Sequence, residues 1–371
     1  MGYDREESAI ALARSSDKSM AKMTRREILA MAGAGPAWLS ATSSLLGAQQ
    51  GKTRLGATPA AFSARAQGGG GAKPFDIVEH CHQISLGGVQ TSLLAIDIDT
   101  ARALRKRVEG YGMQLVLAVP QLPGEESQLY RFDNALKGCT AAGAYCLHAA
   151  MTSRRWEQFD SIEAFRRGFE RSKSTIALAE PMLQKNKIKL AVETPGWRAA
   201  EVAEWLKDLD SEWVGVCFDF GNHLALSEDP MDAARTLAPY AIMGHIKDVA
   251  VDGYEDGFLL SEVPLGEGIL NLKEMVRILR EKDSRMPFYL DTAMGDPLKI
   301  PVLTDKYWVS FADSSSPVPG QDRAKILSLV RDNPPKKPLP RVTGLSPAAA
   351  SKFEDDNNLK SIEYARQVLS I

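Results

Sequence analysis

The chain has 371 residues, 44% hydrophobic and 25% charged, and its 45 basic side chains nearly balance 47 acidic ones for a formal net charge of -2. This is globular composition with ample length for a large core, and the absence of a basic stripe argues against a nucleic-acid partner. Four cysteines, Cys81, Cys139, Cys146 and Cys217, form no C-x-x-C pair; a zinc ribbon or dithiol motif is disfavoured, and Cys146 and Cys217 read as buried free thiols.

Residues 24–29 read Thr-Arg-Arg-Glu-Ile-Leu, and a small-residue apolar stretch follows from Ile28 to Ala48. A charged segment with Arg25-Arg26, a moderate apolar region and small residues at Gly47-Ala48 predict a twin-arginine signal over residues 1–50, and hence periplasmic export. Pro36 and several polar residues make the stretch a poor membrane span. Residues 51–371 are then the folded domain.

From Lys52 onward short apolar runs alternate with longer amphipathic ones. Predicted strands are 53–57, 88–92, 113–119, 145–150, 188–193, 213–219, 241–246 and 287–291. Most are near-continuously apolar, as strands of a parallel sheet buried on both faces are. Helices are predicted over 75–85, 98–110, 127–143, 161–185, 199–209, 230–239, 271–283 and 358–369, with Asn271 as an N-cap. The repeated strand–helix alternation predicts a (β/α)8 barrel, with a doubly wound open sheet as the alternative. The Gly-rich 67–72 reads as a loop, and the Pro/Ser/Gly-rich 309–345 as an irregular excursion.

In such barrels the site is built at the C-terminal strand ends. Four consecutive runs end in Glu193, Asp219, His245 and Asp291. Three close carboxylates would repel one another and take up protons unless a cation sat among them. Oxygen donors with one nitrogen suit Mn²⁺ or Mg²⁺, with Co²⁺ and Zn²⁺ as further options. Any one of these residues alone is an ordinary loop charge, cap or packed histidine; their joint placement is the signal.

From about Gly88 to Asp291 the chain resembles the xylose-isomerase-like sugar phosphate isomerase/epimerase superfamily. The pieces that carry the resemblance are Ala191-Val192-Glu193-Thr194, the run from Val216 through Asp219 to Asn222, Asp229-Pro230, Leu237-Ala238-Pro239-Tyr240, Gly244-His245-Ile246-Lys247-Asp248 and Pro264-Leu265-Gly266-Glu267-Gly268. The resemblance implies metal-ligand roles for Glu193, Asp219 and His245. Asp291 stands where the family carries Glu, and its shorter arm reaches less far toward a substrate.

Other residues near the predicted mouth have competing readings. Gln90 and His148 suit either substrate contact or packing. Trp197 and Arg198 could wall and grip a sugar, but Trp197 equally suits barrel packing. His223 suits a cap or a substrate contact more than a metal ligand. Lys247 and Glu267 suit substrate binding or ion pairs within the scaffold. His80 and His82 face different ways on a helix and read as structural.

The expected reaction is proton transfer beside a carbonyl, with Glu193 as general base and Asp291 as its counterpart on the opposite face. A metal-dependent isomerase or epimerase of an unphosphorylated keto-sugar results, since export and the absence of a Gly-rich phosphate cradle disfavour sugar phosphates. The same site would serve elimination or hydration of 3-keto-glycosides. An exported sugar-binding barrel without turnover is a third reading, and a phosphodiesterase needs more histidines than the five present. A homo-oligomer is compatible with the sequence.

Overall fold

A computed structural model describes residues 53–68, 74–92, 97–119, 121–311 and 319–371. The predicted leader, residues 1–50, lies outside the described residues. The strands are β1 (Gly56–Ala57), β2 (Gly88–Thr91), β3 (Gln114–Ala118), β4 (Cys146–Ala150), β5 (Leu190–Glu193), β6 (Val214–Asp219), β7 (Ala241–Ile246), β8 (Asp248–Tyr254), β9 (Gly257–Val263), β10 (Phe288–Leu290) and β11 (Leu298–Ile300). Eight of them close into a barrel in the order β1-β10-β7-β6-β5-β4-β3-β2, every pairing parallel. The closed parallel barrel is the predicted fold, and the open-sheet alternative is excluded.

The helices follow from their sequence signals. Ile98–Gly110 starts behind Asp97, whose side chain accepts from the Thr100 N–H, and Leu272–Leu279 starts behind Asn271, which accepts from Glu274 N–H. The latter buries Leu272, Met275, Val276, Ile278 and Leu279, an apolar stripe at helical spacing laid against the barrel. The final helix is longer than predicted. It spans Pro347–Tyr364 with a π-helical turn at Ala365–Leu369. The excursion 309–345 is not irregular throughout, because it carries the helix Pro319–Asp332. Among the described residues, no helix is long and apolar enough to cross a membrane.

A small antiparallel sheet, order β11-β9-β8, was not predicted. β8 and β9 form a hairpin whose turn ends at Gly257. A Cβ there would lie 2.2 Å from the Ile300 carbonyl oxygen, so β11 can approach only a glycine. This sheet rises from the end of β7 and brings β9 over one side of the mouth.

Inside the barrel, alternate residues of each strand stack in layers. Val116, Cys146, Ala191, Cys217, Met243 and Tyr289 form the interior cluster. Tyr289 is fully buried, and its ring fills the space left by Gly56, where a Cβ would stand 2.4 Å from the ring. One layer above, two residues further along their strands than Cys146, Ala191, Cys217, Met243 and Tyr289, come His148, Glu193, Asp219, His245 and Asp291, and register pairs Asp219 with His245. Polar side chains therefore begin where the apolar plug ends.

Candidate metal and substrate site at the barrel mouth

Glu193 ends β5 and is the focus of the site. His148 Nε2 lies 2.9 Å and His245 Nδ1 3.1 Å from its Oε2. Asn222 Nδ2 donates to its Oε1 at 2.9 Å. The two imidazole rings stand 4.6 Å apart. Gln90, on β2, touches the outer nitrogen of each ring: its Oε1 is 2.9 Å from His245 Nε2 and its Nε2 is 3.3 Å from His148 Nδ1. Gln90 Oε1 accepts the His245 Nε2–H, and the inward Nδ1, buried without a hydrogen bond of good geometry, faces Glu193 Oε2.

A second group sits beside it. Lys247 Nζ lies 2.9 Å from Asp219 Oδ2, 2.9 Å from Asp291 Oδ2 and 3.2 Å from Glu262 Oε1. Asp219 Oδ1 accepts the Gly221 and Asn222 N–H groups at 2.8 and 3.0 Å, while its Oδ2 is buried without a hydrogen bond. Thr58 Oγ1 donates to Asp291 Oδ1 at 2.6 Å.

Electrostatics follow from this crowding. Burial pushes the Glu193 carboxyl up, but His148 and His245 outweigh it and hold the group well below its ordinary range. Burial also opposes ionisation of Asp291, yet Lys247 and His245 bring it down to about 2. Asp219 is raised, first by burial and then by Glu193 and Asp291 against the pull of Lys247. Burial disfavours the Lys247 ammonium, and Asp219, Asp291 and Glu262 more than offset that, so it stays charged. His148 is raised to about 9 against its burial, by Cys217 and Glu193. Burial disfavours the charged His245 ring, but Cys217, Asp291 and Glu193 raise it well above its ordinary range. With both imidazoles protonated, four carboxylates face three cations, and the balance depends on protons that a divalent ion would displace.

The residues present fit a metal. One ligand atom each from Asp219, His245 and Asp291 lies within 4.8 Å of the others, as does one each from His148, Glu193, Cys217 and His245. The predicted quartet of Glu193, Asp219, His245 and Asp291 thus resolves into two donor groups that share His245. Asp219 Oδ2 and His245 Nδ1 are buried without a hydrogen bond and are met by charged neighbours alone, Lys247 Nζ at 2.9 Å and Glu193 Oε2 at 3.1 Å.

Of the predicted substrate residues, Gln90, His148 and Lys247 stand in the site. Four do not. Trp197 is fully buried against Phe169 and Trp205, so it offers no wall to a sugar. Arg198 is consumed by Asp322 at 2.6 Å and Glu228 at 3.4 Å. His223 Nδ1 pairs with Glu228 Oε2 at 2.8 Å. Glu267 is half-exposed and pairs with Lys337 at 3.1 Å. A cavity of about 680 Å³ bounded by Arg198, Glu228, Asp232 and Asp322 contains none of the converging donors.

The sequence reasoning missed Thr58, Cys217, Asn222 and Glu262. The period of two along β6 places Cys217 on the same inward face as Asp219, a signal that was available. Glu262 comes from the unpredicted β9.

Comparison with known proteins agrees with this architecture. Residues 74–301 match the family model described as xylose isomerase-like TIM barrel, and the chain belongs to that family. A curated relative, the uncharacterized protein YihM of Escherichia coli K12, is 28% identical over 79 residues, which is 21% of this chain and 24% of that protein. The matched segment therefore spans about a quarter of that relative's length. Among solved structures, a D-psicose 3-epimerase in the presence of D-fructose aligns over 79% of this chain and 93% of its own, with 16% identity and a TM-score of 0.49. A probable 3-DHS dehydratase, AsbF of Bacillus anthracis, aligns over 64% of this chain and 91% of its own, with 14% identity and a TM-score of 0.48.

Proposed function

We propose that this barrel is a divalent-metal-dependent isomerase or epimerase of an unphosphorylated keto-sugar or sugar derivative. The observation that carries the reading is Glu193, part-buried at a strand end and met by His148, His245 and Asn222. Membership of the xylose isomerase-like family supports it. Asp219, His245 and Asp291 would hold the ion, with Glu193 beside them. When bound, a divalent ion supplies Lewis-acid polarisation of a carbonyl and an adjacent hydroxyl.

The chain's own residues do the rest. Glu193 Oε1 receives one hydrogen bond, from Asn222, and keeps a lone pair for the proton on the carbon beside the carbonyl. His148 and His245 keep that carboxylate ionised until it takes the proton. The Lys247 ammonium steadies negative charge developing on an enediolate. Return of the proton from Glu193 to the neighbouring carbon gives isomerisation. Delivery from the opposite face gives epimerisation; Asp291, held ionised, would pass on a proton taken from the Lys247 ammonium 2.9 Å away, which Glu193 and solvent then restore.

A second reading has its own observation. Asp291 is pinned by Lys247 and Thr58, which favours chemistry needing one base. Elimination from, or hydration of, a 3-keto-glycoside is such chemistry.

Metal analysis, turnover of a keto-sugar panel and solvent-deuterium incorporation test both readings. Deuterium at the carbon beside the carbonyl is expected. Glu193→Gln is expected to lower turnover by about 10²–10⁴-fold; wild-type-like rates would remove Glu193 from the mechanism. Export is part of the same proposal. A reporter fused behind residues 1–50 is expected to reach the periplasm, and to fail to do so when Arg25 and Arg26 are both changed to Lys.

A further inference from the structure

The Gly266-Glu267-Gly268 turn takes no part in the chemistry above, yet it is rigidly built. Asp248, fully buried, accepts the Gly266, Gly268 and Leu270 N–H groups at 2.9, 3.0 and 3.2 Å. Gly266 has a φ of +85°, and a Cβ there would run into the Tyr364 ring, so only glycine serves. The turn holds Glu267 at the edge of a cavity of about 370 Å³. That cavity lies between the β8–β9 hairpin, the strap 335–340 (Pro-Lys-Lys-Pro-Leu-Pro) and the final helix.

We propose that this cavity binds a small organic anion with an apolar body, of the class of an aromatic carboxylate. It holds none of the strand-end donors, so the proposal goes beyond the metal reading and does not depend on it.

Charge gives the first argument. Lys336 and Lys337 reach the cavity from the strap and Lys360 from the helix, and Glu267 is the one carboxylate among the lining residues. Lys337 Nζ lies 3.1 Å and Lys360 Nζ 3.8 Å from that carboxylate. One anion serves three ammoniums, and two positive charges are left over. Like charges gathered in this way repel one another unless a further anion joins them.

The walls give the second. Val263, Met294, Leu339 and Phe353 face the space together with the prolines of the strap. Pockets of about 300–1,000 Å³ with apolar walls and a few polar groups take small molecules. A bare phosphate or sulfate would press charged oxygens against those walls, whereas an apolar body covers them. The strap is also set in advance. Its prolines fix the backbone, and Asp296 Oδ1 anchors the chain just beyond it through the Val342 and Thr343 N–H groups at 2.7 and 3.0 Å. A wall formed beforehand needs no ordering when a ligand arrives.

A buried donor completes the lining. Asn357 is 4% exposed, and its NH2 donates to the Met294 thioether at 3.2 Å. Sulfur of that kind is a weak acceptor, and a carboxylate oxygen is a stronger partner for the same amide.

Binding of cinnamate to the full chain, with neutral cinnamamide as control, tests this by saturation-transfer NMR and calorimetric titration. Cinnamate is expected to bind about tenfold more tightly than the amide, and Lys336→Gln with Lys360→Gln to remove about that factor, as two exposed charge pairs would. Glu267→Gln removes the carboxylate that competes for the lysines, so it is expected to tighten cinnamate binding about threefold. Lys336 and Lys360 are exposed, and their variants are expected to melt as the wild type does. Equal affinity for acid and amide overturns the site. So does a lysine double variant that binds cinnamate like wild type, a Glu267→Gln variant that fails to bind it more tightly, or a wild-type chain that shows no saturation transfer to millimolar cinnamate. Each of these outcomes leaves the metal reading to its own test.

Discussion

The Lys247 ammonium lies 2.9 Å from Asp219 Oδ2, an oxygen buried without a hydrogen bond of its own. Lys247 is thus the counter-ion of the upper carboxylates. Removing one partner of a buried ion pair leaves an uncompensated charge and costs about 3–5 kcal/mol. Lys247→Met is expected to lose stability of that order, and to regain part of it when Mn²⁺ is added. Thermal melts of both proteins with and without Mn²⁺ check this; a variant as stable as wild type would mean that Asp219 and Asp291 are already neutral.

Gln90 meets two imidazoles through one amide, its Oε1 accepting from His245 Nε2–H and its NH2 facing His148 Nδ1, so it supports His245 as a ligand. Outer partners of metal-bound histidines are worth about 10–100-fold in metal affinity. Gln90→Leu removes both contacts at a buried position and keeps the volume. Calorimetric titration is expected to show a loss in that range, with the fold intact by circular dichroism. Unchanged affinity would show that the rings are held by packing alone.

His80 provides a pH dependence remote from the site. Burial, reinforced by the charge of Arg65 and opposed by Asp355, lowers its imidazole from 6.5 to about 4. Its ring packs edge-on to Phe62 and Phe75 at 4.8 and 5.4 Å. The unfolded chain therefore binds the proton at higher pH than the folded one does. The stabilisation is present in full above pH 6.5 and is lost as pH falls toward 4. Tm measured from pH 7 to 4.5 is expected to fall less steeply in His80→Leu than in wild type.

Arg155 is fully buried, with its guanidinium carbon 3.5 Å from the Phe165 ring centre and 4.1 Å from that of Phe311. It donates to both oxygens of Glu201 at 2.9 Å and to the Ser310 carbonyl. A planar, stacked, two-pronged donor cannot be replaced by an ammonium. Arg155→Lys is expected to shift the urea midpoint down nearly as far as Arg155→Ala does. A midpoint for Lys near wild type would show that charge alone suffices.

The barrel was legible because its strands are buried on both faces. β6, all six residues buried, reads as an unbroken apolar run ending in Asp219, and the helices Ile98–Gly110 and Ala199–Leu209 fall on the predicted bounds. The β8–β9 hairpin was not legible. Its residues follow β7 after one intervening position, where a barrel normally turns to a helix, and Glu262 was lost with it. Trp197 and Arg198 show the opposite error. Proximity to Glu193 in sequence suggested the mouth, but the backbone turns outward after the strand and carries both into the helix layer. For Cys217, an apolar neighbourhood hid a donor that the alternation of β6 aims at Glu193.

Tyr289 gives the barrel a floor. Its ring lies against Gly56 and its hydroxyl donates to Gln114 Oε1 at 3.3 Å, in the layer beneath Glu193. A hydrogen lifted onto Glu193 is therefore shut off from solvent along the barrel axis below, so its internal return competes with wash-out, and a tritium label on the substrate is expected to be partly conserved in the product.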